Sequence, residues 1–415
     1  MEIRDYIPQR FEKLAQQMNN NEAAILFSNR EAEGGVNRFE QDKNFLYLTG
    51  LEIPNARLMI IKVNDKLSST LFIARNIPER IVWEGAKMYP EEATEISTIE
   101  SVKFLDEFQS AAANGLAMGR IKKVYVNYVN LALDEPLTQR HIFIEKLKQT
   151  QPNLMFEDFN EIIRPLRQIK DKFELEQMQK AIDITGEGLD VIFNYSEAGM
   201  FEFELEAMLY NEMLSNGFRF WGFTPIIAAG KNAATLHYID NDTEIEENEM
   251  VLCDVGAACY GYSADITRTF PIDEKFTPRG KEVYAEVLQV QKDVIAMIKP
   301  GVSMLDLNNK ANELLTKACH KLGLIKEDSE FRKYYMHSIG HHLGLDTHDV
   351  GLRNSVLEAG MVITVEPGLY IPEECIGVRI EDDILVTEAG YEIMSEDIPK
   401  EIEDLEIIRK AALNR

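Results

Sequence analysis

The sequence predicts an α/β protein that folds as two domains. Over roughly the first 160 residues, short apolar runs alternate with amphipathic segments, an order typical of α/β domains. Helix caps and pairs of strands then follow over the second part of the chain. The length of 415 residues is too great for one ordinary hydrophobic core, which favours two or three domains.

The first domain is predicted over residues 1–165. Four apolar runs have the length and composition of strands, and they read AAILFS, LMIIKV, STLFIA and KVYVNYV. Two amphipathic segments predict helices, and they read RDYIPQRFEKLAQQM and TQRHIFIEKLKQT. The last segment of this domain is expected to end at Arg164-Pro165, because proline disfavours the continuation of a helix.

The second domain is predicted over residues 166–415 and opens with a long helix. Asp171 and Glu174 have the spacing of a capping box, which marks the start of that helix. The apolar residues that follow roughly keep helical spacing: Phe173, Leu175, Met178, Ile182 and Leu189.

Two later helices have recognisable ends. Thr277-Pro278 predicts the start of the first by the preferences of the N-cap and N1 positions, and Pro300-Gly301 predicts its stop. Ser303 with Asp306 predicts the start of the second helix, and Gly323 predicts its end.

Composition and charge narrow the classes of partner and compartment. The formal charge is −26, from 44 basic and 70 acidic residues, which argues against nucleic-acid and anionic-membrane partners. The N-terminal residues lack the apolar stretch of a signal peptide, and no apolar run has the length of a membrane span. The four cysteines are scattered without a Cys-x-x-Cys pair, which favours a reducing compartment. A cytoplasmic protein is therefore expected.

Two predicted β-hairpins contain paired acidic residues. In MVLCDVGAACYGYSADITRTF, a Tyr-Gly turn separates two β-rich arms that hold Asp254 and Asp265. These two carboxylates are expected to lie nearly opposite each other, about 5 Å apart at Cβ. In MVITVEPGLYIPEECIGVRIEDDILVT, Glu366 and Glu381 lie on two arms separated by PGLYIPEECIG.

These four carboxylates need a positive partner. Apolar strand residues surround both pairs, and burial of an unpartnered carboxylate costs on the order of several kcal/mol. Few basic residues are near them, namely Arg268 and Arg379. Two divalent cations are a better partner, because two close metals need bridging carboxylates. A lone acid in a strand is more often a surface residue, so this interpretation depends on the four acids together.

The imidazole ligand is expected from MHSIGHHLGLDTHDVG at residues 336–351, which holds four of the seven histidines. His337 and His341 have the i, i+4 spacing of a helical zinc motif. That motif is excluded because Ser338 follows the first histidine and glycines interrupt the helix. His342 is predicted to be structural.

Four segments in this order closely resemble the metal-dependent creatinase/aminopeptidase P/prolidase family: CDVGAACYGYSADITRTF, HSIGHHLGLDTHDVG, VEPGLY and GVRIEDD. The resemblance covers most of residues 165–405. It implies the pita-bread fold, an α/β catalytic domain of pseudo-two-fold symmetry that follows a smaller α/β domain. NRFEQDKNFLYLTGLEIPNA is similar to the N-terminal domain of aminopeptidase P. KDKFELEQM stands where the family often has Lys-Ser-Pro-Glu-Glu, a variation in helix capping.

The resemblance implies five metal ligands, all of them intact: Asp254, Asp265, His341, Glu366 and Glu381. Asp265 and Glu381 would bridge two divalent metals. Asp254 would hold one metal, and His341 with Glu366 would hold the other. The intact set excludes the metal-free creatinase branch, and hard oxygen ligands favour Mn(II), with Co(II) and Zn(II) open. Glu366 would also pass a proton towards the leaving proline nitrogen.

The same resemblance assigns roles to residues beside the ligands. His237, His337 and His348 match the family's substrate-side imidazoles. His337 would line the proline side, while His237 and His348 would stabilise the developing oxyanion or position the peptide. Arg379 and Tyr370 match a pair that orients the ligands.

The implied activity is hydrolysis of the peptide bond that precedes proline. An aminopeptidase acting on longer peptides is favoured by the N-terminal resemblance and by the short spacer between Glu366 and Glu381. A prolidase that splits dipeptides, a catalytically silent peptide-binding module and a purely structural acidic scaffold stay open. The resemblance further implies a homo-oligomer, either a dimer or a tetramer.

Three aromatic residues have expected places in this scheme. Trp221 and Phe223 are expected to wall the pocket for proline. Trp83 either reaches the substrate cleft of a neighbouring subunit or lies in the core.

Overall fold

The structure is a computed structural model that describes residues 2–30, 38–118, 120–128, 131–352 and 354–415. Asn37, in the N-terminal motif, and Val129, at the end of a predicted strand, lie outside these residues. The chain divides into two compact units, Met1–Arg167 and Gln168–Arg415. None of the helices in the described ranges has both the length and the apolar character needed to cross a membrane.

One six-stranded mixed sheet forms the centre of the N-terminal unit. Its strands are β1 (Glu22–Phe27), β2 (Arg57–Val63), β3 (Lys66–Ile73), β4 (Val102–Phe104), β5 (Lys123–Val126) and β6 (Met155–Asp158). Its helices are α1 (Ile7–Gln17), α2 (Lys43–Thr49), α3 (Pro78–Glu84), α4 (Pro90–Ser97), α5 (Phe108–Met118), α6 (Gln139–Thr150) and α7 (Asn160–Gln168). The strand order is β4-β3-β2-β1-β5-β6. The pairs β1-β2 and β2-β3 are antiparallel, and the pairs β3-β4, β1-β5 and β5-β6 are parallel.

The core of this unit explains which elements the sequence predicts. Rings of Phe27, Phe72, Phe108 and Phe143 contact one another between the sheet and helices α5 and α6. The four predicted strands are confirmed as β1, β2, β3 and β5, and the two predicted helices as α1 and α6. The edge strands β4 and β6 lack an apolar run, because charged residues interrupt both of them.

Helix α7 corrects the predicted end at Arg164-Pro165. The helix continues through this proline to Gln168. Proline removes one backbone hydrogen bond, but Ile162, Ile163 and Leu166 are buried along the helix. Packing of this apolar face therefore outweighs the lost bond.

The C-terminal unit combines short antiparallel sheets with long helices. Its helices are α8 (Lys172–Tyr195), α9 (Glu202–Ser215), α10 (Pro278–Ile295), α11 (Met304–Lys321) and α12 (Ile402–Leu413). Its strands are β7 (Phe220–Trp221), β8 (Ile226–Ala229), β9 (Met250–Val255), β10 (Ala257–Cys259), β11 (Tyr262–Ser263), β12 (Ile266–Pro271), β13 (Val362–Val365), β14 (Gly368–Ile371), β15 (Ile376–Arg379), β16 (Asp382–Val386) and β17 (Tyr391–Ile393). The strand orders are β12-β9-β8, β11-β10-β7, β13-β16-β17 and β14-β15.

Local capping chemistry starts three of these helices where the sequence predicts. The Asp171 side chain accepts from the Glu174 N–H at the start of α8. Thr277 and Ser303 cap α10 and α11 in the same way. Helix α10 ends at Ile295, several residues before the predicted stop at Pro300-Gly301. The chain after Ile295 continues as a tighter turn with i, i+3 hydrogen bonds.

The first acidic hairpin runs from β9 to β12. Tyr260 and Gly261 form its turn with φ of 52° and 81°, and a tight two-residue turn requires such positive values. The pairing places Asp254 opposite Thr267, so the prediction that Asp254 and Asp265 lie opposite each other is wrong. Asp265 comes two residues before Thr267, an offset that keeps side chains on one face of a regular strand.

The second acidic hairpin runs from β13 to β16 in one continuing register. Val365 pairs with Asp382, and Gly368 pairs with Arg379. Continuing this register through the break between the strands places Glu366 opposite Glu381. The second hairpin therefore has the arrangement that the sequence predicts.

Candidate metal centre

The two hairpins and the histidine-rich segment bring their side chains to one place. His341 Nε2 lies 3.3 Å from Asp265 Oδ2 and 3.6 Å from Glu366 Oε1. Ligand atoms of Asp265, His341 and Glu381 lie within 4.8 Å of one another, which is close enough to hold a metal ion. All of these side chains are wholly or partly shielded from solvent.

Breaks in the strands carry the acidic residues. Asp265 directly precedes β12, Glu366 directly follows β13 and Glu381 directly precedes β16. The Glu381 N–H donates to the Thr267 carbonyl at 3.0 Å, and the Glu366 N–H donates to the Ile339 carbonyl at 2.8 Å. These bonds tie the second hairpin to the first hairpin on one side and to the histidine segment on the other.

Thr267 and Arg379 orient two of the carboxylates. Thr267 Oγ1 donates to Glu381 Oε2 at 2.6 Å and accepts from Arg379 Nε at 3.2 Å. Arg379 Nη2 donates to Asp254 Oδ2 at 2.6 Å, and its Nη1 donates to the Tyr370 hydroxyl at 2.9 Å. The sequence does not identify Thr267 as a site residue, because its place opposite Asp254 and beside Glu381 is set by the register and by the second hairpin.

Buried negative charge accumulates at this centre. Burial raises the pKa of Asp265 to about 6 and that of Glu366 to about 7, and neighbouring carboxylates add to both shifts. Burial and the same neighbours raise the pKa of Glu381 well above its usual range. A further positive charge would allow all of these groups to ionise at neutral pH.

The donor set fits divalent metal ions. Among the described residues, Asp254 Oδ1 is buried without a hydrogen-bond partner, whereas its Oδ2 pairs with Arg379. A buried carboxylate oxygen without a partner is costly, and a cation would satisfy it. Four carboxylates and one imidazole are ligands that Mn(II), Co(II) and Zn(II) accept.

His341 is held in the tautomer that a metal ligand needs. Its Nδ1 lies 3.1 Å from the His342 carbonyl, which can only accept, so Nδ1 carries the proton and Nε2 faces the carboxylates. Burial disfavours the charged ring, but the hydrogen bond to Asp265 and the charges of Asp265 and Glu366 outweigh it. They raise the pKa of His341 to about 9.

The three predicted substrate-side histidines differ in their surroundings. His337 is half-buried, and its Nε2 lies 2.8 Å from the Tyr370 hydroxyl. Burial and the charge of Arg379 lower the pKa of His337 to about 4. His348 is exposed, with its ring edge-on to that of His341 at 4.2 Å between centroids. His237 is exposed, and its charge adds to the lowering of the pKa of His337.

The histidine segment is not helical, so the excluded helical zinc motif is absent from these described residues. His342 is buried, and its Nε2 lies 2.8 Å from Ser355 Oγ. A Cβ on Gly351 would lie 1.7 Å from the His342 ring, so this ring packs directly against the backbone of Gly351. This environment is that of a structural residue.

The two aromatic residues expected at the pocket take different places. Trp221 stacks on Tyr210, with 5.7 Å between the ring centroids. The Phe223 ring lies 3.1 Å from the position of a Cβ on Gly256, which the hairpin register places opposite Asp265. Phe223 therefore packs against the first acidic hairpin, and the backbone of Trp221 pairs with Ala257 of the same hairpin.

Two further residues near the ligands carry no sequence prediction. Asp383 is fully buried, and its Oδ2 accepts from the Asp265 N–H at 3.2 Å. Tyr335 is fully buried, with its ring 4.6 Å from that of His337. Both lie next to predicted site residues in space, which a reading of local sequence patterns does not detect.

Comparison with known proteins gives matches along nearly the whole chain. Residues 176–388 match Metallopeptidase family M24, and residues 7–125 match Aminopeptidase P, N-terminal domain. The Xaa-Pro aminopeptidase of Haemophilus influenzae is 33% identical over 416 residues, covering 94% of each chain. A structure from Bacillus anthracis assigned as an aminopeptidase P matches with a TM-score of 0.95 and 37% identity, covering 99% of each chain. Aminopeptidase P from E. coli with the inhibitor Pro-Leu matches with a TM-score of 0.90 and 30% identity, covering 99% of each chain.

Proposed function

This chain belongs to metallopeptidase family M24 and is a metallo-aminopeptidase, and from that premise we propose that it releases the N-terminal residue from peptides with proline in second position. The observation that carries this proposal is the full-length match to Xaa-Pro aminopeptidases, which includes the N-terminal domain. The α/β fold, with a pita-bread catalytic domain after a smaller α/β domain, agrees with the matched structures.

The proposed centre holds two divalent metal ions, with Mn(II) as the expected metal. Asp265 and Glu381 would bridge them, Asp254 would hold one, and His341 with Glu366 would hold the other. The unpartnered oxygen of Asp254 and the crowded carboxylates support this assignment. When bound, the ions would supply Lewis-acid activation of water and of the scissile carbonyl.

Glu366 is the residue proposed to move a proton. Its Oε1 lies 3.6 Å from His341 Nε2, and its Oε2 lies 3.6 Å from His337 Nδ1. This carboxyl therefore lies between the imidazole of His341 and that of His337, where it can take up a proton and pass it on. The proton would pass to the nitrogen of the departing proline, which must be protonated to leave.

The histidines are proposed to bind and orient the peptide. His337 Nδ1 donates to the Ser338 carbonyl at 2.8 Å, so its Nε2 accepts from Tyr370 and the ring stays neutral. A neutral ring packed on Tyr335 suits contact with the apolar proline side chain. His348 and His237 are exposed and able to donate to peptide carbonyl oxygens. Arg379 would keep Asp254 and Tyr370 in place without touching the substrate.

The alternative within the family is a prolidase that splits Xaa-Pro dipeptides. The segment between Glu366 and Glu381 forms the short hairpin of β14 and β15, joined by a single turn at Pro372–Glu374. This compact hairpin leaves no long inserted loop there to restrict the length of the peptide. The aminopeptidase assignment is therefore favoured over the prolidase.

The test compares three substrates of the Mn(II)-loaded enzyme. The substrates are an Xaa-Pro-Yaa tripeptide, its N-acetylated form and the Xaa-Pro dipeptide, and the measured quantity is kcat/KM. The proposal expects the free tripeptide to be cleaved best. A dipeptide cleaved better than the tripeptide would make the enzyme a prolidase, and efficient cleavage of the acetylated peptide would exclude an aminopeptidase.

A homo-oligomer, dimer or tetramer, is proposed together with this activity. Val82 and Trp83 are each 87% exposed on α3, whose described residues all face solvent at least in part. The core alternative for Trp83 is therefore wrong, and two adjacent exposed apolar side chains favour contact with another chain. Analytical ultracentrifugation of the wild type and of Trp83→Ala tests this, because a monomeric wild type contradicts the proposal.

A cytoplasmic location, supported by the scattered cysteines, stays part of the proposal.

A further inference from the structure

A buried ion pair joins the histidine segment to the residue that precedes the N-cap of α8, and both of its members are outside the proposed ligand set. Lys170 Nζ lies 2.9 Å from Asp349 Oδ2, and the two side chains are only 1% and 2% exposed. Asp349 directly follows the substrate-side residue His348 in the sequence. The ion pair therefore connects the backbone next to His348 with a distant part of the chain.

Lys170 provides a fixed anchor for this connection. The backbone N–H of Lys170 donates to the Gly360 carbonyl at 2.9 Å. The next residue, Asp171, is the N-cap of α8 and exchanges two hydrogen bonds with Glu174 in a capping box. The lysine thus extends from a chain segment that a helix start and a backbone bond both hold.

Asp349 lies at the end of a closed backbone loop. Its N–H donates at 2.8 Å to the His342 carbonyl, the acceptor that also fixes the tautomer of His341. A Cβ on Gly344 would lie 2.3 Å from Asp349 Oδ2 and 2.9 Å from Lys170 Nζ, so glycine leaves the space that the ion pair occupies. Displacement of Asp349 would therefore move the backbone that carries His348.

We propose that the ion pair of Lys170 and Asp349 positions His348 on the substrate side of the centre. The pair acts through the backbone, by keeping the His348 ring edge-on to His341 at 4.2 Å. A buried ion pair gains little net stability over apolar residues of the same size, so stability alone does not account for it. This inference rests on the proposed function, in which His348 orients the peptide.

The first test removes both charges together in Lys170→Met/Asp349→Asn. The expected result is a fall in kcat of about 10²-fold, because a small displacement of an orienting group has this effect. Metal content should stay at the wild-type level, and KM should change less than kcat. The same double substitution made in a His348→Ala background should cause no further fall in kcat, because its effect passes through His348.

A second variant perturbs the pair without deleting either partner. Gly344→Ala places a methyl group against both side chains, and it should lower kcat in the wild type but not in His348→Ala. A matched control is Arg140→Met/Asp42→Asn, which removes a mostly buried ion pair of 3.0 Å in the N-terminal unit. The control should lower the melting temperature without the fall in kcat. A folded Lys170→Met/Asp349→Asn enzyme with wild-type kcat, or a loss that persists in His348→Ala, would overturn the proposal.

A readout independent of activity separates this proposal from the proposed function. Diethyl pyrocarbonate modifies accessible imidazoles, and mass spectrometry gives the rate at His348 relative to His320, an exposed histidine that contacts Asp328. Loss of the ion pair should change this ratio severalfold. If the wild type cleaves no Xaa-Pro peptide, the proposed function fails and this ratio alone decides the positioning role. An unchanged ratio would overturn that role whatever the substrate.

Discussion

Replacement of Thr267 by valine is expected to weaken metal binding while the fold is retained. Valine keeps the shape of the side chain but lacks Oγ1, which donates to Glu381 Oε2 at 2.6 Å and accepts from Arg379 Nε at 3.2 Å. Thr267 is fully buried, so water does not readily replace these bonds. Glu381 and Arg379 would then be free to leave the orientation that the centre requires.

The size of the loss in metal affinity follows from the charges of Glu381 and Arg379, the two groups that bond to the Thr267 hydroxyl. A hydrogen bond to a charged group contributes about 1.5–3 kcal/mol. Loss of a residue that orients a ligand typically lowers metal affinity by about 10–100-fold, and the lower end of this range corresponds to about 1.4 kcal/mol. The two ranges overlap, so Thr267→Val should raise the dissociation constant for Mn(II) by about 10–100-fold.

Isothermal titration of Mn(II) into metal-stripped protein measures this constant. Thr269→Val is the matched control, because Thr269 is equally buried on the same strand but bonds to the backbone of Arg379. Both variants should lose some thermal stability, and only Thr267→Val should lose metal affinity by the stated factor. Equal Mn(II) affinity in the two variants would refute the role assigned to Thr267.

Three further predictions follow from the proposed centre. Asp265→Ala should abolish hydrolysis of an Xaa-Pro-Yaa peptide, since it removes a bridge, and wild-type kcat at stoichiometric metal would contradict this. His348→Ala should lower kcat by about 10²–10³-fold, and elemental analysis should find its metal content unchanged; a parallel loss of metal would make His348 a ligand. In metal-free protein, burial raises the pKa of Asp265 to about 6 and of Glu366 to about 7, above usual values of about 4. The folded state then binds more protons than the unfolded state, so stability should fall as pH rises from about 4 to about 7. Thermal melts should therefore show a larger gain from added Mn(II) at pH 7.5 than at pH 5, and a larger gain at pH 5 would be inconsistent with this reasoning.

Features set by local chemistry could be predicted from the sequence. The N-caps at Asp171, Thr277 and Ser303 depend on side chains within three residues, and the structure has helices starting at each. The arms of the second hairpin also follow from their apolar runs, and the register on either side of Glu366 and Glu381 places these two residues opposite each other.

Features set by contacts distant in sequence could not be predicted. The offset between Asp254 and Asp265 depends on where the turn at Tyr260 and Gly261 sets the register, and one residue of uncertainty there moves every pairing. Thr267 becomes a site residue only when Glu381 is brought beside it by a second hairpin.

The same limit applies to the chain that surrounds the centre. Pro165 does not end its helix, because buried apolar residues on either side outweigh the local effect of proline. Lys170 and Asp349 are separated by 179 positions, and nothing near either residue indicates their pairing.

The most direct test of the account follows a single peptide of the form Xaa-Pro-Yaa-Zaa during stepwise addition of Mn(II) to metal-stripped enzyme. Mass spectrometry identifies the products, and the initial rate is recorded against the number of ions bound per chain. The account predicts that only the first residue is released and that the rate reaches its maximum at two ions per chain. Full activity without metal, full activity with one ion, or cleavage at any other bond would contradict it.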